Sequence, residues 1–233
     1  MRKCAAEFFG TFCLVFAGTG AIVVNESGGG VISHLGVAAA FGLVVMVMIY
    51  TVGDVSGAHL NPAVSIAFFS AGRFPGSLVL PYVASQILGA LAASGILRAL
   101  FPANTNLGLT APAGSVLQAF VFEVILTLIL MWVILSVSTG AKEKGITAGI
   151  AVGAVIGLEA LFGGPISGAS MNPARSLGPA IIALKTEALW IYLVAPVVGA
   201  LLAILVCRCV RPDCCSAPFW RLSAEDDPNK TDQ

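Results

Sequence analysis

Charge is what this sequence has least of. Only 10% of its 233 residues are charged, twelve basic and twelve acidic, so the net charge is zero and no block of either sign stands out. Without a basic block there is no electrostatic footprint for a nucleic acid, and without an acidic run there is no solvating tail. Histidine is nearly absent as well: His34 and His59 are the whole supply, which leaves an intramembrane protease of the Ser-His type little to work with. What fills the chain instead is apolar. A hydrophobic content of 58% and a mean hydropathy of +0.95 place it among integral membrane proteins, with the lipid bilayer as its main partner.

Two copies of one short stretch interrupt the apolar runs: Ser56-Gly57-Ala58-His59-Leu60-Asn61-Pro62-Ala63 and Ser167-Gly168-Ala169-Ser170-Met171-Asn172-Pro173-Ala174. Asn-Pro is a helix start, because Asn caps orphan backbone N–H groups and Pro, lacking an N–H, is tolerated at the first helical position. The apolar segments that follow, Asn61 to Ala71 and Asn172 to Leu184, are well short of the roughly 20 residues needed to cross a bilayer. They read as half-helices.

Around them lie six spans. Ala5 to Val24, with Glu7 as its only charge, is a retained first span rather than a cleaved signal, since no small-residue cleavage site follows a short apolar core. Leu35 to Val52, Leu78 to Leu97, Val116 to Val137, Ile146 to Gly163 and Leu189 to Val206 supply the others. Phe101 to Gly114, rich in turn formers and uncharged, links the halves. Glu7 with Thr11 in the first span matches Glu123 with Thr127 in the fourth, and each Asn-Pro-Ala falls between the second and third span of its half. Three spans per half is an odd number, so the second copy is inverted and the broken helices meet near the bilayer midplane. The expected architecture is an all-α membrane protein of six transmembrane helices and two re-entrant half-helices. It forms one channel domain over 1–210, with repeats at 5–100 and 115–210, followed by a disordered cytoplasmic tail over 211–233.

With a cytoplasmic N-terminus, Arg2, Lys3, Arg73, Lys142, Lys144, Arg208, Arg211, Arg221 and Lys230 all lie inside, leaving Arg98, Arg175 and Lys185 elsewhere, which orients both termini to the cytoplasm. Cys4, Cys13, Cys207, Cys209, Cys214 and Cys215 are then expected as free thiols in a reducing compartment. Palmitoylation and soft-metal binding stand as lesser readings of the terminal cluster.

Two helix N-termini aimed at one point each carry about half a positive charge, which opposes cations and protons. The Asn61 and Asn172 amides there can donate hydrogen bonds to a passing oxygen. An apolar wall elsewhere gives an ion nothing to replace its water, while a small neutral molecule gives up only a few hydrogen bonds. Passive permeation of small neutral solutes follows. An ion-coupled transporter of inverted-repeat type is the rival, but it would place ionisable groups where the asparagines stand. A junctional membrane protein would need an adhesive surface that the short loops do not offer.

Inverted halves carrying Ser-Gly-x-x-x-Asn-Pro-Ala, the second running into Arg175, resemble the aquaporin or major intrinsic protein family over roughly Ala5 to Val210. Val52 to Phe68, Gly168 to Ala180 and Trp190 to Pro196 are most similar to the nodulin-26-like channels and their bacterial relatives. The resemblance implies a plasma-membrane homotetramer with one pore per subunit, no catalytic residue, no cofactor and no metal. It assigns Asn61, Pro62, Ala63, Asn172, Pro173 and Ala174 to the pore motifs, and Phe41, Ala160, Ala169 and Arg175 to the narrowest ring. It also implies that Glu7 and Glu123 accept hydrogen bonds from the re-entrant loops, and that His59 either lines the pore or packs in its loop.

Strict water channels usually place His where Ala160 stands. Its loss leaves a wider, more apolar ring suited to a molecule with one oily and one hydroxyl edge. Ser176 and Ala180 nevertheless look like water channels, a mixture the nodulin-26-like group shows. The expected cargo is water and glycerol-like polyols, with urea and boric or arsenous acid as further candidates and a strict water channel as the alternative. Two residues depart from the family pattern. Asp54 stands where many relatives have His, and Glu159 has no counterpart, leaving it to bond a loop, face a vestibule or pair with Arg175.

Overall fold

A computed structural model describes residues 1–138 and 142–210. Among the described residues the regular elements are helices: α1 (Arg2–Ser27), α2 (Ser33–Ser56), α3 (Pro62–Ser70), α4 (Gly76–Leu100), α5 (Val116–Val137), α6 (Lys142–Ser167), α7 (Pro173–Ala183) and α8 (Leu189–Val210). Six of them, α6 through its segment Thr147–Ser167, are long and apolar enough to cross a membrane. The nine residues of α3 and eleven of α7 reach roughly 14 and 17 Å at 1.5 Å per residue, about half of a bilayer core. These are the six spans and two half-helices that the sequence predicts. Most spans run a few residues beyond the hydropathy limits, because terminal residues such as Arg2, Lys3 and Arg98 continue a helix as readily as apolar ones do.

Each half packs its first helix against its other two spans: α1 against α2 and α4, and α5 against α6 and α8. The half-helices cross over, α3 packing on α8 and α7 on α4, so each half is braced by the other's last span. Between the halves, α2 and α6 meet backbone to backbone. A methyl built on Gly42 would stand 2.6 Å from the Gly153 carbonyl oxygen, and one on Gly153 2.6 Å from that of Gly42. In a membrane, where burial of apolar surface does not drive helices together, small residues at such a crossing let van der Waals contact do so.

Cys4, Cys13 and Cys209 are free thiols. The expectation of free thiols throughout fails at Cys207, which is disulfide-bonded. Cys214 and Cys215, and the expected disordered tail over 211–233, lie outside the described residues.

Candidate functional site

The site is built from the two loops that precede the half-helices. Gly57 closes α2 in the left-handed region, φ 86°, with its N–H on Gly53 O, and Gly168 closes α6 the same way, φ 87°, with its N–H on Gly164 O. Glycine is the residue that enters this region without steric cost. After it the chain alternates, with positive φ at Ala58 and Leu60 in one loop and at Ala169 and Met171 in the other. Each such non-glycine position costs on the order of 1–3 kcal/mol, so the surroundings must over-determine the loop.

Two buried carboxylates do so. Glu7, fully buried, accepts Ser56 Oγ (2.7 Å) and His59 N (3.0 Å) on Oε1, and Leu60 N (2.7 Å) and Gln86 Nε2 (2.8 Å) on Oε2. Glu123, also fully buried, accepts Ser167 Oγ (2.7 Å) and Ser170 N (2.8 Å) on Oε1 and Met171 N (2.8 Å) on Oε2. Irregular backbone at membrane depth is tolerable only where its N–H groups find partners. Tyr82 and Tyr192 tie down the loop starts from α4 and α8, donating to Ser56 O at 2.9 Å and Ser167 O at 2.6 Å.

The loops end in caps that also lock to each other. Asn61 Oδ1 accepts Ala63 N at 2.9 Å while its Nδ2 donates to Met171 O at 2.7 Å. Asn172 Oδ1 accepts Ala174 N (3.0 Å) and Arg175 N (3.3 Å) while its Nδ2 donates to Leu60 O at 2.8 Å. A side-chain amide nitrogen has two hydrogens, so each Asn keeps one for whatever passes. Both line an internal cavity of about 120 Å³, enough for several waters at on the order of 10–15 Å³ each.

That cavity is lined by Phe41, Ala160, Ala169 and Arg175 and also by Ser138 and Ala148. The rest of its wall is largely aliphatic, with Val45, Ile49, Leu130 and Val152 among the contributors. The structure therefore brings together the four residues assigned to the ring. Arg175 is 2% exposed, with its guanidinium carbon 5.0 Å from the centre of the Phe41 ring and Nη1 donating to Gly108 O at 2.8 Å.

Gly108 was not legible as part of the site. It belongs to the central linker, which turns inward at Leu107 (φ 54°) and Gly108 (φ 67°), buries Leu107 and sends Thr110 Oγ1 to Ser176 Oγ at 2.7 Å. A backbone carbonyl leaves no side-chain signature, and only the positive φ at a Gly hints at it. Gly18 is a second omission: a methyl there would run into the Phe41 ring, so the bare backbone of α1 seats that ring.

His59 lines the cavity, and its ring packs on Phe68, Phe74 and Tyr82 at 4.8, 4.6 and 5.2 Å between centres. Its Nδ1 is 3.0 Å from Ser65 Oγ, but that buried hydroxyl already meets Asn61 O and Gln86 Nε2, so it is no free nucleophile. Asp54 is exposed near the end of α2, outside the cavity lining. Glu159 is 1% exposed, and neither carboxyl oxygen finds a hydrogen-bond partner among the described residues. It bonds neither to a loop nor to Arg175.

Comparison with known proteins agrees with this geometry. A family model described as major intrinsic protein matches residues 1–207. Nodulin-26 of Glycine max is 50% identical over 212 residues, covering 91% of this chain and 78% of that protein. Aquaporin NIP1-1 of Zea mays is 51% identical over 201 residues, covering 86% and 71%. Among solved structures, the aquaglyceroporin from Plasmodium falciparum superposes with a TM-score of 0.82 at 29% identity, covering 91% of this chain and 97% of that one.

Proposed function

Because the chain belongs to the major intrinsic protein family, we propose that its cavity conducts water together with small uncharged polyols, of which glycerol is the type, and excludes protons and ions. It is a multi-pass membrane channel for water and small solutes, not an enzyme. The observation that carries the finer reading is the ring. One wall, Phe41, Ala160 and Ala169, offers carbon, and the other offers the Arg175 guanidinium, with no imidazole to narrow it.

A polyol fits such a ring with its carbon edge on the apolar side and its hydroxyls toward Arg175. Farther in, the spare N–H groups of Asn61 and Asn172 take over as donors, so the solute exchanges water for protein partners in steps. A cation meets instead the N-terminal ends of α3 and α7 and the fixed charge of Arg175, all of one sign. Glu7 and Glu123 take no part in transport in this account; they hold the loops. Urea and boric or arsenous acid, neutral and of similar size, are further cargo.

We infer in addition that the protein is a homotetramer with one pore per subunit, placed in the plasma membrane with both termini cytoplasmic. The distribution of Lys and Arg supports that orientation. The test of cargo is stopped-flow light scattering of proteoliposomes challenged in turn with sucrose, glycerol, urea and boric acid. Glycerol re-entry well above that of protein-free vesicles is expected, and water flux without any solute flux would replace this reading with a strict water channel.

A further inference from the structure

The two halves are alike enough that a break in the likeness can be read. With Asn61 laid on Asn172, Glu7 corresponds to Glu123, Ser56 to Ser167, Ser65 to Ser176 and Tyr82 to Tyr192, and each pair makes the same kind of contact. Gln86 has no such twin. It stands four residues beyond Tyr82, and four beyond Tyr192 is Pro196, which has no side-chain donor.

Gln86 does two things in the first half: it donates to Ser65 Oγ at 3.1 Å and to Glu7 Oε2 at 2.8 Å. In the second half Thr110 takes over the first task, donating to Ser176 Oγ. The second task has no substitute among the described residues. Glu7 receives two donors on each oxygen, whereas Glu123 Oε2 receives Met171 N alone.

On α6, the helix packed against α5, stands a carboxyl that the first half lacks. Glu159 lies one helical turn before Gly163, where an added methyl would meet the side chain of Leu126, itself one turn beyond Glu123 on α5. Thirteen residues before Asn172, it corresponds to Met48, thirteen before Asn61. Both its oxygens are sealed from solvent without a partner among the described residues. A second ionised carboxylate buried in this apolar interior without a partner would carry a large desolvation cost, which one proton on Glu159 removes. The carboxylic acid so formed has one O–H donor, and a carboxylate oxygen with a single donor has a lone pair to receive it.

We propose that Glu159 is a positioning residue that, as the carboxylic acid, donates its O–H to Glu123 Oε2, by a turn of its side chain or across one water, in the place Gln86 fills in the first half. Such an O–H to carboxylate bond is among the stronger hydrogen bonds. It steadies the carboxylate that holds the N–H groups of Ser170 and Met171, and through them Ala169 and the Asn172 cap. Its effect on flux rests on the reading of Ala169 as part of the constriction, but the proton itself does not.

The test uses the full chain in lipid. The infrared difference spectrum of wild type minus Glu159→Gln at neutral pH should show the C=O stretch of a protonated carboxylic acid, shifted in D₂O and missing from the variant. No band lost on that substitution overturns the proposal. In flux assays Glu159→Gln, whose amide is still a donor, should stay within about twofold of wild type for glycerol, and Glu159→Met should lose about tenfold. Pro196→Gln, added to Glu159→Met, should recover most of that loss by moving the first-half donor into the second half. Equal flux in wild type and Glu159→Met, or a loss that the added Gln does not relieve, counts against it. A wild type that passes no glycerol would sink the polyol reading and leave the infrared band to decide the proton.

Discussion

The Arg175 guanidinium lies 5.0 Å from the centre of the Phe41 ring, with its Nη1 on the Gly108 carbonyl. Three distant parts of the chain thus fix one charge: α2 supplies the face it stacks on, the central linker the acceptor, and α7 the backbone. Replacement by Arg175→Val removes one positive term and leaves the two helix N-termini, so the protein should fold, keep its water flux and admit a measurable leak of protons or small cations. Proton flux into dye-loaded proteoliposomes reads this directly. Unchanged exclusion would assign the barrier to the Asn61 and Asn172 helix ends alone.

Phe41 is held from behind as well. Because α1 presents only hydrogen at Gly18 where a methyl would collide with the ring, Gly18→Ala should push Phe41 toward the ring opening. Overpacking of this kind costs about 1–3 kcal/mol, so some loss of thermal stability is expected too. The glycerol-to-water permeability ratio should fall. A variant with a normal ratio would mean that the ring relaxes sideways without narrowing the path.

Glu7→Leu tests the support role. It would leave the N–H groups of His59 and Leu60 and the Ser56 hydroxyl without the acceptor they share. Each buried orphan costs about 1–3 kcal/mol, so a loss of roughly 3 kcal/mol or more is expected, seen as poor yield and a lower unfolding temperature in detergent. Glu7→Gln, which keeps one acceptor, should fall between. A Leu variant as stable as wild type would show that the loop finds other partners.

The filter assignment is tested by Ala160→His. An imidazole opposite Phe41 narrows the ring and adds a polar group, so glycerol flux should drop far more than water flux. An added barrier of about 1.4 kcal/mol would already mean a tenfold drop. Equal losses of both, with protein yield intact, would place the constriction elsewhere.

How much of this was legible in the chain depends on whether a feature lives in a side chain or in the backbone. The half-helices were legible because Asn and Pro each do one definite thing at a helix start, and because they occur twice at matching places. Glu7 and Glu123 stood out as lone charges in apolar spans, matched between the halves. The inward turn of the central linker was not legible, since Gly108 acts through its carbonyl and Thr110 is an ordinary linker residue in sequence. The contact of α2 with α6 at Gly42 and Gly153 escaped too: a glycine marks where something comes close without saying what. Glu159 was visible as an anomaly, but only the tally of donors on Glu7 and Glu123 suggests what it acts on.

The central claim is that one path carries both water and a polyol while refusing protons. The most direct test measures all three in the same proteoliposomes: osmotic water flux, glycerol uptake and proton conductance under an imposed potential. Water and glycerol permeabilities well above those of protein-free vesicles are expected, both with the low activation energy of a pore, with a proton conductance no greater than that of bare lipid. A proton current that rises with the amount of protein, or glycerol uptake no faster than through lipid alone, would contradict it.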